Sequence, residues 1–225
     1  MSNFGFLRLR VVNPYHVAFR EARSAVGASA LLASAKEYDS VAEAVADCAL
    51  VVGTTAVRHR ELQHPLRRLE CGARLIRRQL ASSRIALLFG SEKRGLSNQD
   101  LSYCHWLLRI PTREEHSSMN LGQAVAVCLY ELVREASKTP RTAEKMQPAT
   151  AGEVERITAM LFDALNASGY VRPRTAASTH EKVRRLVGRL HMQASDANIW
   201  LGILGQIVWK LRSGGSSAGE HGLGD

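Results

Sequence analysis

The 225-residue sequence has no unbroken apolar run approaching the roughly 20 residues that a membrane-spanning helix requires, which excludes a transmembrane anchor. Its first residues, MSNFGFLRLR, lack the charged-then-apolar order of a secretory leader, so a cytoplasmic location is expected. Cysteine is sparse: Cys48, Cys71, Cys104 and Cys128 are widely spaced, with no Cys-x-x-Cys and no neighbouring histidine pair. That pattern argues against structural zinc and against a disulfide framework, and predicts buried or half-buried free thiols. The common phosphate-binding fingerprints are missing as well. No Gly-x-x-x-x-Gly-Lys-Ser/Thr occurs, and Gly90-Ser91-Glu92-Lys93-Arg94-Gly95 carries glutamate where a dinucleotide loop needs its second glycine. A carboxylate there blocks close approach of a pyrophosphate and repels its charge. No Asp/His cluster suggests a metal, and no internal repeat is visible.

Acidic charge is also short, 21 Asp and Glu against 30 Lys and Arg, for a formal net charge of +9. The imbalance speaks about partners, not fold. Arg58, Arg60, Arg67, Arg68, Arg74, Arg77, Arg78 and Arg84 fall in one stretch opposed only by Glu61 and Glu70. A solvated helix face and a polyanion-binding surface both fit that stretch. Arginine throughout tilts it toward phosphate, because the planar guanidinium grips oxygens in pairs.

The first half alternates short apolar runs with amphipathic stretches, the pattern of βαβ units and a parallel sheet. Strands are expected at LRLRVVNP (7–14), CALVVGTT (48–55), IALLF (85–89) and WLLRIP (106–111). HVAFREARSAVGA reads as a helix ending at Gly27, and Ser40-Val41-Ala42-Glu43 as a capping box opening a helix through Cys48. Pro65 is expected to start an arginine-bearing helix running to about Leu80. Residues 118–136 read as a long helix with Leu121, Val125, Cys128, Leu129 and Leu132 on one face and an N-cap at Ser117 or Ser118. Residues 138–150 are polar and aperiodic, a linker.

Beyond the linker the texture is helical. Thr150-x-x-Glu153 caps a helix that buries Val154, Ile157, Leu161 and Leu165. Ser178-x-x-Glu181 is expected to cap a second, with Val183, Leu186, Val187 and Leu190 inward and Lys182, Arg184, Arg185 and Arg189 outward. A third, about 196–212, aligns Ile199, Ile203, Ile207 and Leu211 in a stripe read as core packing. The tail after residue 212 is expected to be flexible.

Three expected strand ends carry unusual sequences: VVGTT (51–55), LFGSEKRGL (88–96) and RIPTREEHSSMNL (109–121). In open α/β sheets ligands bind at the carboxyl edge, and Gly53, Gly90 and Gly95 would let main chain approach one closely. Any one loop alone is ordinary turn chemistry.

In combination, ALLFGSEKRGLSNQDL followed by LLRIPTREEHSSMNLGQAVAVCLYE resembles the second and third motifs of the knotted, SPOUT-class RNA ribose 2′-O-methyltransferases of the SpoU branch. VVGTTAVRHREL resembles the preceding loop of the subfamily that acts on tRNA nucleotide 32, the first of the anticodon loop. FDALNASGYVRP, KVRRLVGRL and NIWLGIL are similar to its C-terminal helical extension. The resemblance implies an α/β fold with a deep trefoil knot near residues 86–130, an exception to the rule that chains stay unknotted. It divides the chain into a methyltransferase domain at 1–137, a linker at 138–150, a tRNA-binding helical extension at 151–212 and a tail at 213–225.

It further implies S-adenosylmethionine bound in the knot, tRNA as substrate, a homodimer formed through the knot helices, and no metal. Thr54, Thr55, Gly90, Glu92, Gly95, Ile110, Ser118 and Leu121 would line the cofactor site, and Leu96 would cap the knot. Asn120 would hold the third-motif loop. Arg60, Ser118 and Asn120 are the catalytic candidates; Arg58, Arg60, Arg67, Arg94, Arg184 and Arg185 are the RNA-binding ones. His116 is expected at the surface and Tyr130 in packing. The arginine that the family places in a first motif has no counterpart here, since Met1–Gly5 aligns with the end of that motif's helix. Low stability, weak turnover and, as an alternative function, a catalytically impaired RNA-binding remnant are the corresponding expectations.

Overall fold

The computed structural model describes residues 1–14, 19, 21–22, 30–56, 63–116, 118–134 and 147–215. Six short strands appear among them: β1 (Arg10–Val12), β2 (Lys36–Tyr38), β3 (Leu50–Thr54), β4 (Leu66–Arg68), β5 (Ile85–Leu88) and β6 (Trp106–Arg109). The helices in chain order are α1 (Ala30–Ala33), α2 (Val41–Val45), α3 (Leu69–Leu80), α4 (Asn98–Ser102), α5 (Leu121–Val133), α6 (Ala151–Ala167), α7 (Ala176–Gly188) and α8 (Ala194–Gly215). β1 and β2 pair in parallel, and a separate parallel sheet runs β4-β6-β3-β5. Most of the helix expected to end at Gly27 lies outside the described residues.

β3 and β6 are apolar on both faces because helices cover both sides of the sheet. On one face Leu50, Val52, Trp106 and Leu108 join Leu69, Ala73 and Ile76 of α3 and Cys128, Leu129 and Leu132 of α5. The alternate residues, Val51 and Leu107, meet Val45, Cys48, Leu96, Leu101 and Cys104. Gly72 lets α3 lie close: a Cβ there would fall 2.4 Å from Leu108 Cδ2.

β5 carries the same kind of apolar sequence, yet every one of its residues is only half-buried. It sits at the end of the sheet, and β1 also has a free side. The two strands border one cavity of about 1070 Å³, lined along its length by Arg10–Val12 and Ile85–Leu88. Arg10 donates to both carboxylate oxygens of Asp47, and Oδ2 also accepts from Arg84 at 2.6 Å. Those two arginines hold the Asp47 carboxyl well below the usual range, the Arg10 hydrogen bond having the larger effect.

Several boundaries differ from the sequence reading. Residues 66–68, expected as helix after Pro65, form β4 and pair with β6. The helix then starts at Leu69. Asn120 caps α5 by accepting from Gln123 N at 3.2 Å, in place of the expected Ser118; the other expected cap, Ser117, lies outside the described residues. α7 begins at Ala176, and Ser178 sits inside it with its hydroxyl donating to Thr175 O. α4 opens with a full Ser97–Asp100 capping box. The Thr150–Glu153 box does open α6.

The last three helices enclose their own core of Ile157, Val183, Val187, Met192, Ala197 and Leu204, with Ala149. They are also tied to the sheet. Ala151 N donates to Cys48 O at 2.6 Å and Gly152 N to Ala46 O at 2.8 Å, so the first turn of α6 satisfies carbonyls just past α2. A Cβ at residue 152 would lie 2.9 Å from Ala46 O, which is why glycine stands there. Leu186 and Leu190, expected inward, are exposed, as are Ile199, Ile203, Ile207 and Leu211 of α8. α6 covers the opposite side of α8, where Ala197 and Leu204 are buried.

Candidate functional site

The three strand-end loops converge. β3 and β5 are adjacent, and Thr54 Oγ1 donates to Leu88 O at 2.9 Å, joining the first loop to the start of the second. Thr55 N donates to Leu108 O at 2.9 Å, joining the first to the third. Glu92 Oε1 accepts from Asn120 Nδ2 at 2.7 Å, a contact across 28 positions that joins the second to the third. Asn120 therefore does two things at once, capping α5 through Oδ1 and orienting Glu92 through Nδ2. Leu96 turns inward from the second loop and is buried against β3 and α4. A Cβ on Gly53 would stand 3.3 Å from Leu96 Cδ1 and 2.8 Å from Cys104 Sγ, so this glycine makes room for the loop's anchor.

The reason for Gly90 differs from the expectation that a ligand lies against it. A Cβ on Gly90 would fall 1.9 Å from Gly95 C and 2.2 Å from Leu96 N. Gly90 is thus required because the loop closes on its own backbone, with Gly95 N donating to Ser91 O at 2.7 Å. Gly95 has φ +67°, which other residues adopt at a cost. The space in front of it is open, with no atom within 4 Å of where a Cβ would stand. Gly90, Ser91, Gly95, Leu96, Leu121 and Val125 line one end of the 1070 Å³ cavity.

S-adenosylmethionine fits this arrangement in kind. An open main-chain face at Gly95 offers hydrogen-bonding groups, Leu121 and half-buried Ile110 offer apolar surface, and exposed Ser118 offers a hydroxyl. Thr54, Thr55, Ile110 and Ser118 belong to the converging loops but do not line the cavity. Among the described residues, no group of three or more His, Cys, Asp or Glu side chains is placed to hold a metal.

The candidate RNA contacts separate. Arg58 and Arg60 lie outside the described residues. Arg94 is exposed in the second loop, its backbone N–H donating to Ser91 Oγ. Arg67 is exposed on β4, with its guanidinium 5.6 Å from the Trp106 ring centroid. Arg184 contradicts its assignment: it is 6% exposed, forms a bidentate pair with Glu155 at 2.8 Å twice, and donates to Ser102 Oγ at 3.1 Å. It also stacks 4.2 Å over the Tyr103 ring. Burial works against its charge, but Glu155 outweighs that and keeps the guanidinium pKa raised. Arg185 is half-buried and pairs with Glu181 at 3.6 Å. The arginine-rich stretch is likewise not one free face. Arg68 meets Glu70, Arg77 donates to Glu131 O, and Arg84 is held by Asp47. His116 is exposed, as expected, whereas Tyr130, expected in packing, is 52% exposed and touches Phe4 edge-on.

These features were compared with known proteins. The SpoU rRNA Methylase family matches residues 1–130. A protein of Sodalis glossinidius named tRNA (cytidine/uridine-2′-O-)-methyltransferase TrmJ is 35% identical over 213 residues, covering 92% of this chain and 83% of its own. A protein of the same name from Yersinia pestis is 35% identical over 232 residues, covering 98% of this chain and 90% of its own. The crystal structure of TrmJ from Z. mobilis superposes with a TM-score of 0.77 at 31% identity, over 92% of this chain and 89% of that one. The chain belongs to the SpoU rRNA Methylase family, in the group of the TrmJ-type 2′-O-methyltransferases.

Proposed function

We propose that this protein transfers the methyl group of S-adenosylmethionine to a ribose 2′-hydroxyl of tRNA, at nucleotide 32 of the anticodon loop, in the cytoplasm. The observation that carries the reading is the Glu92–Asn120 hydrogen bond, which locks two loops of the family's motif residues into one site. The sulfonium methyl is already activated, so the cofactor supplies the electrophile. The protein's contribution is alignment, which alone is worth roughly 7–11 kcal/mol. Main chain at Gly90 and Gly95, with Thr54, Thr55, Ile110, Ser118 and Leu121, would hold the cofactor. Glu92 and Asn120 keep those loops in register. Arg94 and Arg67 are exposed cations on this domain, suited to tRNA phosphates, and Arg58 and Arg60 are assigned the same role from the sequence alone.

The strand order supports a trefoil knot spanning residues 86–130, because β6 inserts between β4 and β3 and the second loop closes on itself at Gly90. The exposed side of α5, with Val127 and Tyr130, is the face for a homodimer through the knot helices. Residues 1–137 form the methyltransferase domain and 151–212 the tRNA-binding extension. Incubation with unmodified tRNA and methyl-labelled S-adenosylmethionine, followed by nuclease digestion, tests the reading. Label is expected in a 2′-O-methylpyrimidine nucleoside from the anticodon loop. Label in a base, or no calorimetric binding of S-adenosylmethionine, overturns it.

A further inference from the structure

From Ala197 to Trp209, α8 runs thirteen residues without a charge. Its buried side faces α6 through Ala197, Leu204 and half-buried Leu201. The opposite side is apolar and open: Ile199 is 61%, Ile203 51% and Ile207 43% exposed, flanked by Trp200 and Trp209. Gly202, beside Ile203, has nothing within 4 Å of where a Cβ would stand, so another backbone can come close. Among the described residues a polyanion finds a single free cation on this stripe, Lys210, and Arg212 is already paired with Asp163.

The stripe is symmetric about Ile203. Ile199 and Ile207 lie four residues to either side, and exposed Asp196 and Lys210 lie seven residues to either side. At about 100° per residue all five fall on one face. A two-fold axis through Ile203 therefore sets Ile199 of one copy against Ile207 of the other, Ile203 against itself, and Asp196 against Lys210 twice. Self-complementarity of this kind is what an isologous contact demands. On this side Ile199, Ile203, Ile207, Trp200 and Leu211 expose on the order of 450 Å² per copy, the scale of a small, weak interface, not one of standard size. Four-residue ridges of this type interlock as crossed helices.

We propose that α8 is a homotypic docking surface, on which a second copy of this chain packs antiparallel through Ile203. The contact is separate from the α5 face and does not rest on the methyltransfer reading. The test is the mass of the full chain by light scattering or sedimentation equilibrium at tens of micromolar. Ile203→Glu is expected to halve the mass and to weaken association at least about 100-fold, with an unchanged circular dichroism spectrum, since the residue is exposed. Lys210→Glu is expected to weaken it about tenfold through two like-charge contacts, and adding Asp196→Lys to restore it. In a Cys71→Ser background, Ile203→Cys is expected to form a disulfide-linked dimer on mild oxidation. A monomeric parent chain overturns the proposal. So does an unchanged mass for Ile203→Glu, or failure of Ile203→Cys to cross-link.

Discussion

Arg184 joins three helices, and replacing it separates a structural role from an RNA-contacting one. Its guanidinium holds Glu155 of α6 in two hydrogen bonds of 2.8 Å, reaches Ser102 of α4, and lies over Tyr103. Removing one member of a fully buried ion pair costs roughly 3–5 kcal/mol, because the other charge is stranded. Glu155 keeps 29% of its side chain in contact with solvent, so water relieves part of that penalty. Methionine retains some packing over Tyr103, at the expense of a stacking contact worth about 1–2 kcal/mol. Arg184→Met is accordingly expected to lower unfolding stability by about 2–3 kcal/mol, read by urea denaturation with an unchanged m-value. Glu155→Leu alone strands the buried arginine and is expected to cost at least as much. The double variant is expected to lose less than the sum, giving a coupling of about 1–2 kcal/mol. An Arg184→Met protein within about 0.5 kcal/mol of the parent, but with tRNA affinity reduced tenfold, refutes the structural role.

Three further outcomes follow from other contacts of the fold. Asn120→Ala removes both the α5 cap and the Glu92 partner; it is expected to cost about 1 kcal/mol of stability and to weaken S-adenosylmethionine binding about tenfold by calorimetry. The His105 ring is half-buried, stacks with His191 and accepts from Val51 N, and desolvation foremost lowers its pKa to about 4. Its neutral form is favoured by folding, so its contribution is complete above the unfolded pKa near 6.5 and is lost as pH falls toward about 4, by roughly 2–4 kcal/mol. His105→Gln should flatten that part of the stability profile. Cys71 is exposed while Cys48, Cys104 and Cys128 are buried, and burial pushes the last two thiols up to about 12. One thiol per chain is expected to react promptly with an aromatic disulfide reagent, the other three only after denaturation.

Much of the site is legible as residues but not as contacts. Gly90, Glu92, Gly95 and Asn120 stand out by their motif spacing, yet nothing local says that Glu92 and Asn120 touch, because the chain must close a long loop before they meet. Gly90 shows the same limit. Its spacing marks a special backbone, but only the folded loop reveals that Gly95 and Leu96, and not a ligand, occupy the space of its missing side chain.

Periodicity and end signals sufficed for β3, β5, β6 and α6, since these depend on neighbours within a few residues, whereas the division of Leu50 and Val52 from Val51 between two clusters is seen only in the fold. Tertiary structure alone decided β4, a three-residue edge that exists through its pairing with β6. It also decided the fate of Arg184 and of the isoleucine stripe. A charge on a helix reads as solvent-facing until a second unit docks over it, and an apolar stripe reads as core until the helices run out before covering it. Which surface meets which partner depends on how separate elements assemble, and no short window of sequence contains that information.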